Sequence, residues 1–177
     1  MKEYGDIYSL IAIKLGTRFF LSHHEGKRTA EDCVELFCDL ERRRAIDSPI
    51  PVFTPDNWDP FEEGLLNIYG FLKTPPYCGI GRKPEPILVP YPNLKYAMVC
   101  KKRKNGRLVE LIQRIVYGDL NEIMQLLGVD SGGKINTAYI ERLNLTTRNS
   151  LARFVRKSMN CSKVLGRHTH ALDSFQA

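Results

Sequence analysis

The stretch NTAYIERLNLTTRNSLARFVRKSMNCSK, from Asn136 to Lys163, decides how the rest of the chain is interpreted. Its apolar residues recur at helical spacings and neither Pro nor Gly interrupts it, which predicts one amphipathic helix. The apolar positions are Ile140, Leu143, Leu151, Phe154 and Val155. The stretch holds six Lys or Arg residues and a single carboxylate, Glu141. That carboxylate is either an ion-pair partner of Arg142 or Arg148, as is common on helix surfaces, or an oxygen ligand for a divalent cation.

Composition predicts one globular domain. At 177 residues the chain is long enough to bury a sizeable core, and its 43% hydrophobic and 26% charged residues are ordinary values. No apolar run is long enough to span a bilayer, and no signal-peptide pattern opens the chain. Five scattered Cys residues without a CxxC pair favour reduced thiols, so we expect a cytoplasmic protein with no membrane partner.

The charge is distributed unevenly between the two halves of the chain. Residues 1–93 carry 11 basic and 14 acidic side chains, whereas residues 94–177 carry 15 basic and 6 acidic ones. A basic half joined to a mildly acidic half is typical of a surface that binds a polyanion. Nucleic acid is therefore the first candidate partner.

Strands and helices alternate upstream of the basic stretch. The elements that we expect, in order, are a β-hairpin (Asp6–Leu21, turning at Gly16-Thr17), a helix from Thr29, a short strand (Ile50–Trp58), a helix (Pro60–Tyr69), an irregular Pro- and Gly-rich insertion at about residues 71–95, a hairpin (Tyr96–Gly118), a short helix (Asp119–Leu127) and a helical tail from His168. Thr29 and Asp32 resemble a capping box. His23 and His24 are adjacent on a strand and point to opposite faces, so we interpret them as incidental.

Five basic residues surround the Asn105-Gly106 turn of the second hairpin: Lys101, Lys102, Arg103, Lys104 and Arg107. One interpretation is a solvated tip whose charge prevents edge-to-edge pairing. The other is a positively charged finger that contacts a phosphate backbone. The sequence leaves both open.

Asp56 follows a short apolar strand and precedes Asn57 and Trp58. Ligands in open α/β sheets bind beyond the carboxyl ends of strands, which places Asp56 and Asp59 well for a metal. Because Pro-Asp-Asn is also strong turn chemistry, a plain Asx turn is the competing interpretation.

The predicted order matches most of a ribonuclease-H-like α/β fold, a mixed sheet flanked by helices, here with an inserted basic β-hairpin. Such folds arrange carboxylates from strand ends and a helix around two divalent cations, about 3.5–4 Å apart, that stabilise the attacking and leaving oxygens of phosphoryl transfer. Mg²⁺ (or Mn²⁺) suits this task because one or two carboxylates hold it and leave positions for phosphate oxygens. Asp56 and Glu141 are the candidate ligands.

The basic stretch is similar to the acidic-residue helix of DDE transposases of insertion elements, above all the short transposases of the insertion-sequence-one type. The matching residues are Ile140-Glu141-Arg142, Asn144-Leu145, Arg148, Leu151-Ala152-Arg153, Arg156-Lys157 and Ser162-Lys163. VFTPDNW around Asp56 resembles the family's second Asp site, and Gly26-Lys27-Arg28-Thr29 its helix start. The resemblance runs from about residue 5 and is weakest across residues 71–95.

The resemblance implies metal-dependent cleavage and transfer of DNA strands in transposition. The implied partners are the transposon ends and target DNA, with a homo-oligomer as an open possibility, and the implied cofactor is Mg²⁺ or Mn²⁺. Asp56 and Glu141 take the catalytic and metal-binding positions. The implied DNA-binding residues are Arg142, Arg148, Arg153, Arg156, Lys157 and Lys163.

The chain departs from the family at its start. The family's first Asp lies on a strand upstream of the first hairpin, and Asp6 is a poor substitute for it. We therefore expect an incomplete copy, with the first strand missing and an unpaired apolar edge, that performs no strand cleavage alone. The alternatives are a DNA-binding remnant without catalysis and a ribonuclease-H-like nuclease unrelated to transposition.

Overall fold

The computed structural model describes residues 7–79, 81–105, 107–128, 138–155 and 164–177. It is a mixed α/β structure, which confirms the predicted class at that level. The chain divides into two compact units: the first joins Met1–Arg43 with Asn136–Ala177, and the second is Arg44–Ile135. The expectation of a single catalytic domain over residues 1–177 stays a prediction.

The helices and strands follow the expected order. They are β1 (Tyr8–Ile13), β2 (Phe20–Gly26), α1 (Ala30–Arg43), β3 (Val52–Phe53), α2 (Pro60–Tyr69), β4 (Gly70–Lys73), β5 (Ile87–Pro90), β6 (Lys95–Lys104), β7 (Arg107–Tyr117), α3 (Leu120–Leu126), α4 (Ala138–Ser150), a 3₁₀ helix (Ala152–Phe154) and α5 (Leu165–Gln176). Among the residues described, no helix has both the length and the apolar character needed to span a bilayer.

In the first unit, β1 and β2 form the predicted antiparallel hairpin. The turn includes Gly16, but the left-handed conformation falls on Arg18, whose φ is 60°. The amide of Lys14 closes the turn by donating to the carbonyl of Phe19 at 2.9 Å. Within the described ranges β1 pairs with β2 alone, and the expectation of a missing neighbouring strand stays a prediction.

Helix α1 begins at the capping box that the sequence predicts. The amide of Thr29 donates to the Asp32 carboxylate at 2.8 Å, and the amide of Asp32 donates back to the Thr29 hydroxyl at 3.4 Å. These bonds satisfy two backbone donors that the first helical turn leaves without intrahelical partners. Cys33, Leu36 and Phe37 form the buried face, and α1 packs against β2.

The tail helix α5 also packs on β2. It starts at Leu165, three residues before the predicted start, and buries Leu172 completely. The side-chain amide of Gln176 donates to the carbonyls of Phe20 and Leu21, at 3.3 and 2.9 Å. The C-terminal turn of the helix is thereby fastened to the start of β2.

The prediction of one long basic helix over residues 136–163 is wrong. Helix α4 ends at Ser150, Leu151 is extended (φ −110°, ψ 109°), and the 3₁₀ helix follows. The hydroxyls of Thr146 and Thr147 bond back to carbonyls four residues earlier, at 3.0 Å each, and Asn149 and Ser150 follow in the last turn. Thr, Asn and Ser at a helix end have low helix propensity and compete for backbone hydrogen bonds.

The second unit is built on a three-stranded sheet in the order β3-β6-β7. Strand β3 is parallel to β6, with Val52 opposite Lys95 and Phe53 opposite Tyr96, and β6 is antiparallel to β7. Ala97, Val99 and Ile123 form a buried core between the sheet and α3. The Asp119 carboxylate caps α3 by accepting from the amides of Asn121 and Glu122.

The insertion is more regular than the sequence suggests. Strands β4 and β5 form a two-stranded antiparallel sheet, from Gly70 opposite Pro90 to Lys73 opposite Ile87. The expectation of an irregular segment is wrong for these two strands, because Phe71-Leu72 and Ile87–Val89 have high strand propensity. Pro90 is tolerated because an edge position needs no amide donor.

Candidate functional site

Asp56 lies beyond the carboxyl end of β3, as predicted. Its backbone continues the parallel pairing and forms an isolated bridge with Val99 of β6, the central strand of the sheet. The amide of Trp58 donates to the backbone carbonyl of Asp56 at 2.8 Å, which turns the chain toward α2. The Asp56 side chain is exposed, so its carboxylate is available to a ligand.

A second exposed carboxylate, Asp59, follows three residues later at the start of α2. Its backbone is already helical, and its side chain makes no capping hydrogen bond. Trp58 lies between the two acids and packs edge-on against Phe61, with ring centroids 5.0 Å apart. The turn is therefore anchored by aromatic packing while Asp56 and Asp59 face solvent.

The acidic first turn of α2 contacts β7. The hydroxyl of Tyr117 donates to the Glu62 carboxylate at 2.5 Å. Burial, together with the hydrogen bond to Glu62 and its negative charge, raises the pKa of Tyr117 to about 12. This contact joins the helix that follows Asp56 to the sheet, which stabilises the position of the turn.

Glu141 lies in the first turn of α4, in the first unit. Its side chain is exposed, and a carboxylate at a helix N-terminus interacts favourably with the helix dipole. Asp56, in contrast, belongs to the second unit. Within the described residues there is no group of three or more His, Cys, Asp or Glu side chains that could hold a metal ion.

The predicted DNA-binding residues that the structure describes lie on α4 and the 3₁₀ helix. Arg142 and Arg153 are exposed, and Arg148, in the last turn of α4, is half-buried. The other three, Arg156, Lys157 and Lys163, lie outside the described residues. The described arginines thus lie on two separate helical segments, and their role in DNA binding stays a prediction.

The apolar side of this region is only partly as predicted. Ile140, Leu143, Leu151 and Phe154 are half-buried, whereas Val155 is exposed. The fully buried residue of α4 is a polar one, Thr147, whose hydroxyl is satisfied by the carbonyl of Leu143. Tyr139 adds a contact of a different kind, because the guanidinium of Arg18 lies over its ring at 4.5 Å.

His23 has structural contacts that the sequence does not predict. Its side chain is 6% exposed and lies between two carboxylates, with Nδ1 2.9 Å from Glu25 and Nε2 3.2 Å from Asp173 of α5. Burial lowers the pKa of His23, but the hydrogen bonds and charges of Glu25 and Asp173 outweigh it and raise the pKa above its ordinary value. The His-x-Glu spacing on one strand face signals the first contact, whereas Asp173 is 150 residues away in the sequence.

The opposite face of β2 makes matching contacts with α1. His24 Nε2 lies 3.1 Å from Asp32, and the buried hydroxyl of Ser22 donates to Asp39 at 2.5 Å. Burial opposes ionisation of Asp32, but hydrogen bonds from Thr29 and His24 lower its pKa. Polar and charged contacts therefore join one face of β2 to α1 and the other to α5.

His168 of α5 contacts both the 3₁₀ helix and β1. Its ring stacks on Phe154 at 4.1 Å between centroids, and its Nε2 lies 3.4 Å from the Ser9 hydroxyl. Burial lowers the pKa of His168, the charge of Glu25 opposes that shift, and Arg153 lowers the pKa further. We assign these histidines a structural role in joining α5 to the hairpin.

The β6–β7 hairpin extends past its neighbouring strand. Among the described residues, the last pairing on the other side of β6 is the bridge between Asp56 and Val99. We call the part of the hairpin from Cys100 to Ile112 the basic ribbon. Its single carboxylate, Glu110, lies opposite Lys102, and the two side chains form an ion pair at 3.0 Å.

Comparison with protein-family models, with curated protein sequences and with solved structures gives no match. The functional argument therefore depends on the residues of the chain itself.

Proposed function

We propose that this chain belongs to the catalytic part of a transposase with a ribonuclease-H-like fold, in which Asp56 and Glu141 supply two of the carboxylates that bind Mg²⁺ or Mn²⁺ for DNA strand cleavage and transfer. The observation that carries the proposal is the position of Asp56. It is an exposed carboxylate beyond the end of a parallel strand that pairs with the central strand of a mixed sheet. Active sites of open α/β sheets are built at such strand ends.

The sequence pattern on α4 supports the same function. Ile140-Glu141-Arg142, Asn144-Leu145 and Arg148 all fall on one helix, with Glu141 and Arg142 exposed. In the proposed role, the Glu141 carboxylate is a hard oxygen ligand of the kind that Mg²⁺ prefers. The arginines of this region bind the phosphates of the DNA, since a guanidinium matches a phosphate with two hydrogen bonds.

The order of the elements supports the ribonuclease-H-like fold. An antiparallel hairpin, the helix α1 and the short strand β3 precede Asp56, and a basic hairpin and α4 follow it. Metal ions bound by strand-end and helix carboxylates would supply charge stabilisation at the attacking and leaving oxygens of the phosphodiester. The part of this chain is to hold those ions and to orient the DNA.

The partners and the compartment follow from charge and cysteine usage. A net charge of +9 over residues 94–177 favours DNA as the partner, and thiols without a CxxC pair favour the cytoplasm. Assembly as a homo-oligomer remains part of the proposal. Non-catalytic DNA binding is the second candidate, which the basic ribbon favours because it contributes cations and no metal ligand beyond Glu110.

The test measures Mn²⁺ binding by isothermal calorimetry for the wild type and for Asp56→Asn, Glu141→Gln and the double variant. We expect each substitution to weaken binding by about tenfold or more, because affinity for hard cations depends on the number of charged oxygen ligands. Asp47→Asn and Glu35→Gln, at exposed positions, are the matched controls.

The controls should retain the affinity of the wild type. Equal Mn²⁺ binding by the wild type and the double variant would contradict the catalytic proposal. If the same double variant still bound duplex DNA normally, the second candidate function would stand instead.

A further inference from the structure

The tip of the basic ribbon has a charge arrangement that folding alone does not favour. Lys104 and Arg107 lie directly opposite each other across the Asn105-Gly106 turn, where Asn105 has the positive φ (50°) that such turns require. Like charges in directly opposed positions on a hairpin destabilise it. Glu110 is the only carboxylate of the ribbon, and it already pairs with Lys102.

The ribbon also has the reach of a groove-binding element. Five residues of β6, Cys100 to Lys104, lie beyond the bridge at Val99, which corresponds to about 16 Å of strand. The major groove of B-DNA is about 12 Å wide and about 8.5 Å deep, and it admits a two-stranded β-ribbon. The minor groove is narrower, at about 6 Å, so the major groove fits a two-stranded ribbon better.

A bulge adjusts the shape of the ribbon near its tip. The pairing register shifts between Lys102 and Arg103, and Val109 on the opposite strand is 65% exposed. Bulges increase the right-handed twist of a hairpin, and the twist lets a ribbon follow a helical groove. Charge, length and twist thus point to the same kind of partner.

We propose that the basic ribbon is the main duplex-DNA contact of this chain, and that it enters the major groove with Lys104 and Arg107 against the phosphates. The inference rests on the proposed DNA partner and adds the surface and the groove. Phosphate contacts would compensate the opposed charges of Lys104 and Arg107, for which the carboxylates of the described residues form no ion pair.

The test is fluorescence anisotropy of a labelled 30-base-pair DNA duplex at increasing KCl concentration. The double variant Lys104→Gln/Arg107→Gln should lower the slope of log affinity against log salt by about 1.8, since each phosphate contact contributes about 0.9. The matched control is Lys73→Gln/Lys83→Gln, which removes two exposed charges from the same unit. It should change the slope by less than half as much.

Equal slope changes in the two double variants would overturn the proposal, because they would show an effect of net charge alone. An unchanged slope in the ribbon variant would overturn it as well. Melting temperatures of both variants, expected within a few degrees of the wild type, verify that the fold persists. If the ribbon variant fails to fold, it is replaced by Lys104→Arg/Arg107→Lys. This variant keeps both positive charges, so the slope of log affinity against log salt should not change. Loss of that slope would count against the proposal.

Two further arms identify the groove and separate the two proposals. Dimethyl sulfate footprinting should show protection at guanine N7 in the major groove, and protection confined to adenine N3 in the minor groove would overturn the assignment. Double-stranded RNA of the same sequence should bind without sensitivity to the ribbon variant, because its major groove is too narrow. If Arg142→Gln/Arg148→Gln lowers the slope and the ribbon variant does not, the DNA function stands and the ribbon assignment fails.

Discussion

The β1–β2 and β6–β7 hairpins differ in how their charged side chains are paired. On β2 of the first hairpin, every polar side chain described between Ser22 and Glu25 has a partner, and α1 and α5 cover the two faces. On the basic ribbon of the second hairpin, the cations outnumber the single carboxylate Glu110, and Lys102, Lys104 and Arg107 are exposed. Both hairpins are antiparallel, so backbone pairing does not account for the difference.

The difference lies in what compensates the charge. Around His23 the carboxylates come from the protein itself. The contacts of Glu25 and Asp173 with His23 therefore contribute to the stability of the fold. At the ribbon tip, no carboxylate among the described residues pairs with Lys104 or Arg107, so an anionic ligand can compensate their charge. The two regions therefore predict different consequences when a charge is removed.

The largest effect is expected for His23→Leu. This change leaves Glu25, whose side chain is 3% exposed, without its buried partner, and removing one partner of a buried pair costs about 3 kcal/mol or more. The measurement is urea unfolding at pH 6, followed by circular dichroism. Asp173→Asn is the matched control, since Asp173 is 55% exposed and its loss should cost about 0.5 kcal/mol.

An equal and small cost for both variants would remove the contrast between the two hairpins. It would mean that water, and not His23, compensates Glu25. If Asp173→Asn lowered the free energy of unfolding much more than His23→Leu did, the main stabilising contact would lie on α5 and not on β2.

The second prediction concerns pH. The pKa of His23 is raised in the folded state, so its contribution to stability is complete below pH 6.5 and is lost as pH rises through the folded-state value above 6.5. The charged groups that act on it are Glu25 and Asp173. The difference in urea midpoint between wild type and His23→Gln should therefore be largest at pH 5.5 to 6.5 and shrink at pH 8.

His168 acts with the opposite sign. Its pKa is lowered in the folded state, so its contribution is present above pH 6.5 and declines as pH falls through the folded-state value. Repeating the pH series in a His168→Gln background removes this opposing contribution. A His23→Gln difference that then grows with pH would show that Glu25 and Asp173 do not stabilise the imidazolium.

The sequence predicts local features of the fold well. The Thr29–Asp32 capping box, the start of α2 at Pro60 and the pairing of Lys104 with Arg107 depend on residues close to one another in the sequence. Short-range rules describe such contacts completely. The position of Asp56 just past a strand was predictable for the same reason.

Long-range contacts were not predictable in this way. The pairing of His23 with Asp173 joins residues 150 positions apart, and β4 pairs with β5 across a Pro- and Gly-rich segment. The apolar spacing continues past Ser150 and so does not predict the end of α4 there, where Thr, Asn and Ser residues lower the helix propensity. Periodicity reports which face is apolar, and it does not report where hydrogen bonding stops.

The smallest effect on stability, and the sharpest contrast, is expected for Lys104→Glu. The change converts the like-charged pair with Arg107 into an opposite-charged pair, which should stabilise the hairpin by about 0.5 kcal/mol. The same change places a negative charge where we propose that phosphates bind, so DNA affinity should fall while the unfolding midpoint rises. Lys14→Glu, an equal charge reversal at an exposed position of the first hairpin turn, is the control and should alter DNA affinity less. Urea unfolding and anisotropy on the same preparations measure both quantities. If stability and affinity fell together, the tip would be a structural element, and the distinction between a hairpin that compensates its own charge and one that leaves it for a ligand would fail.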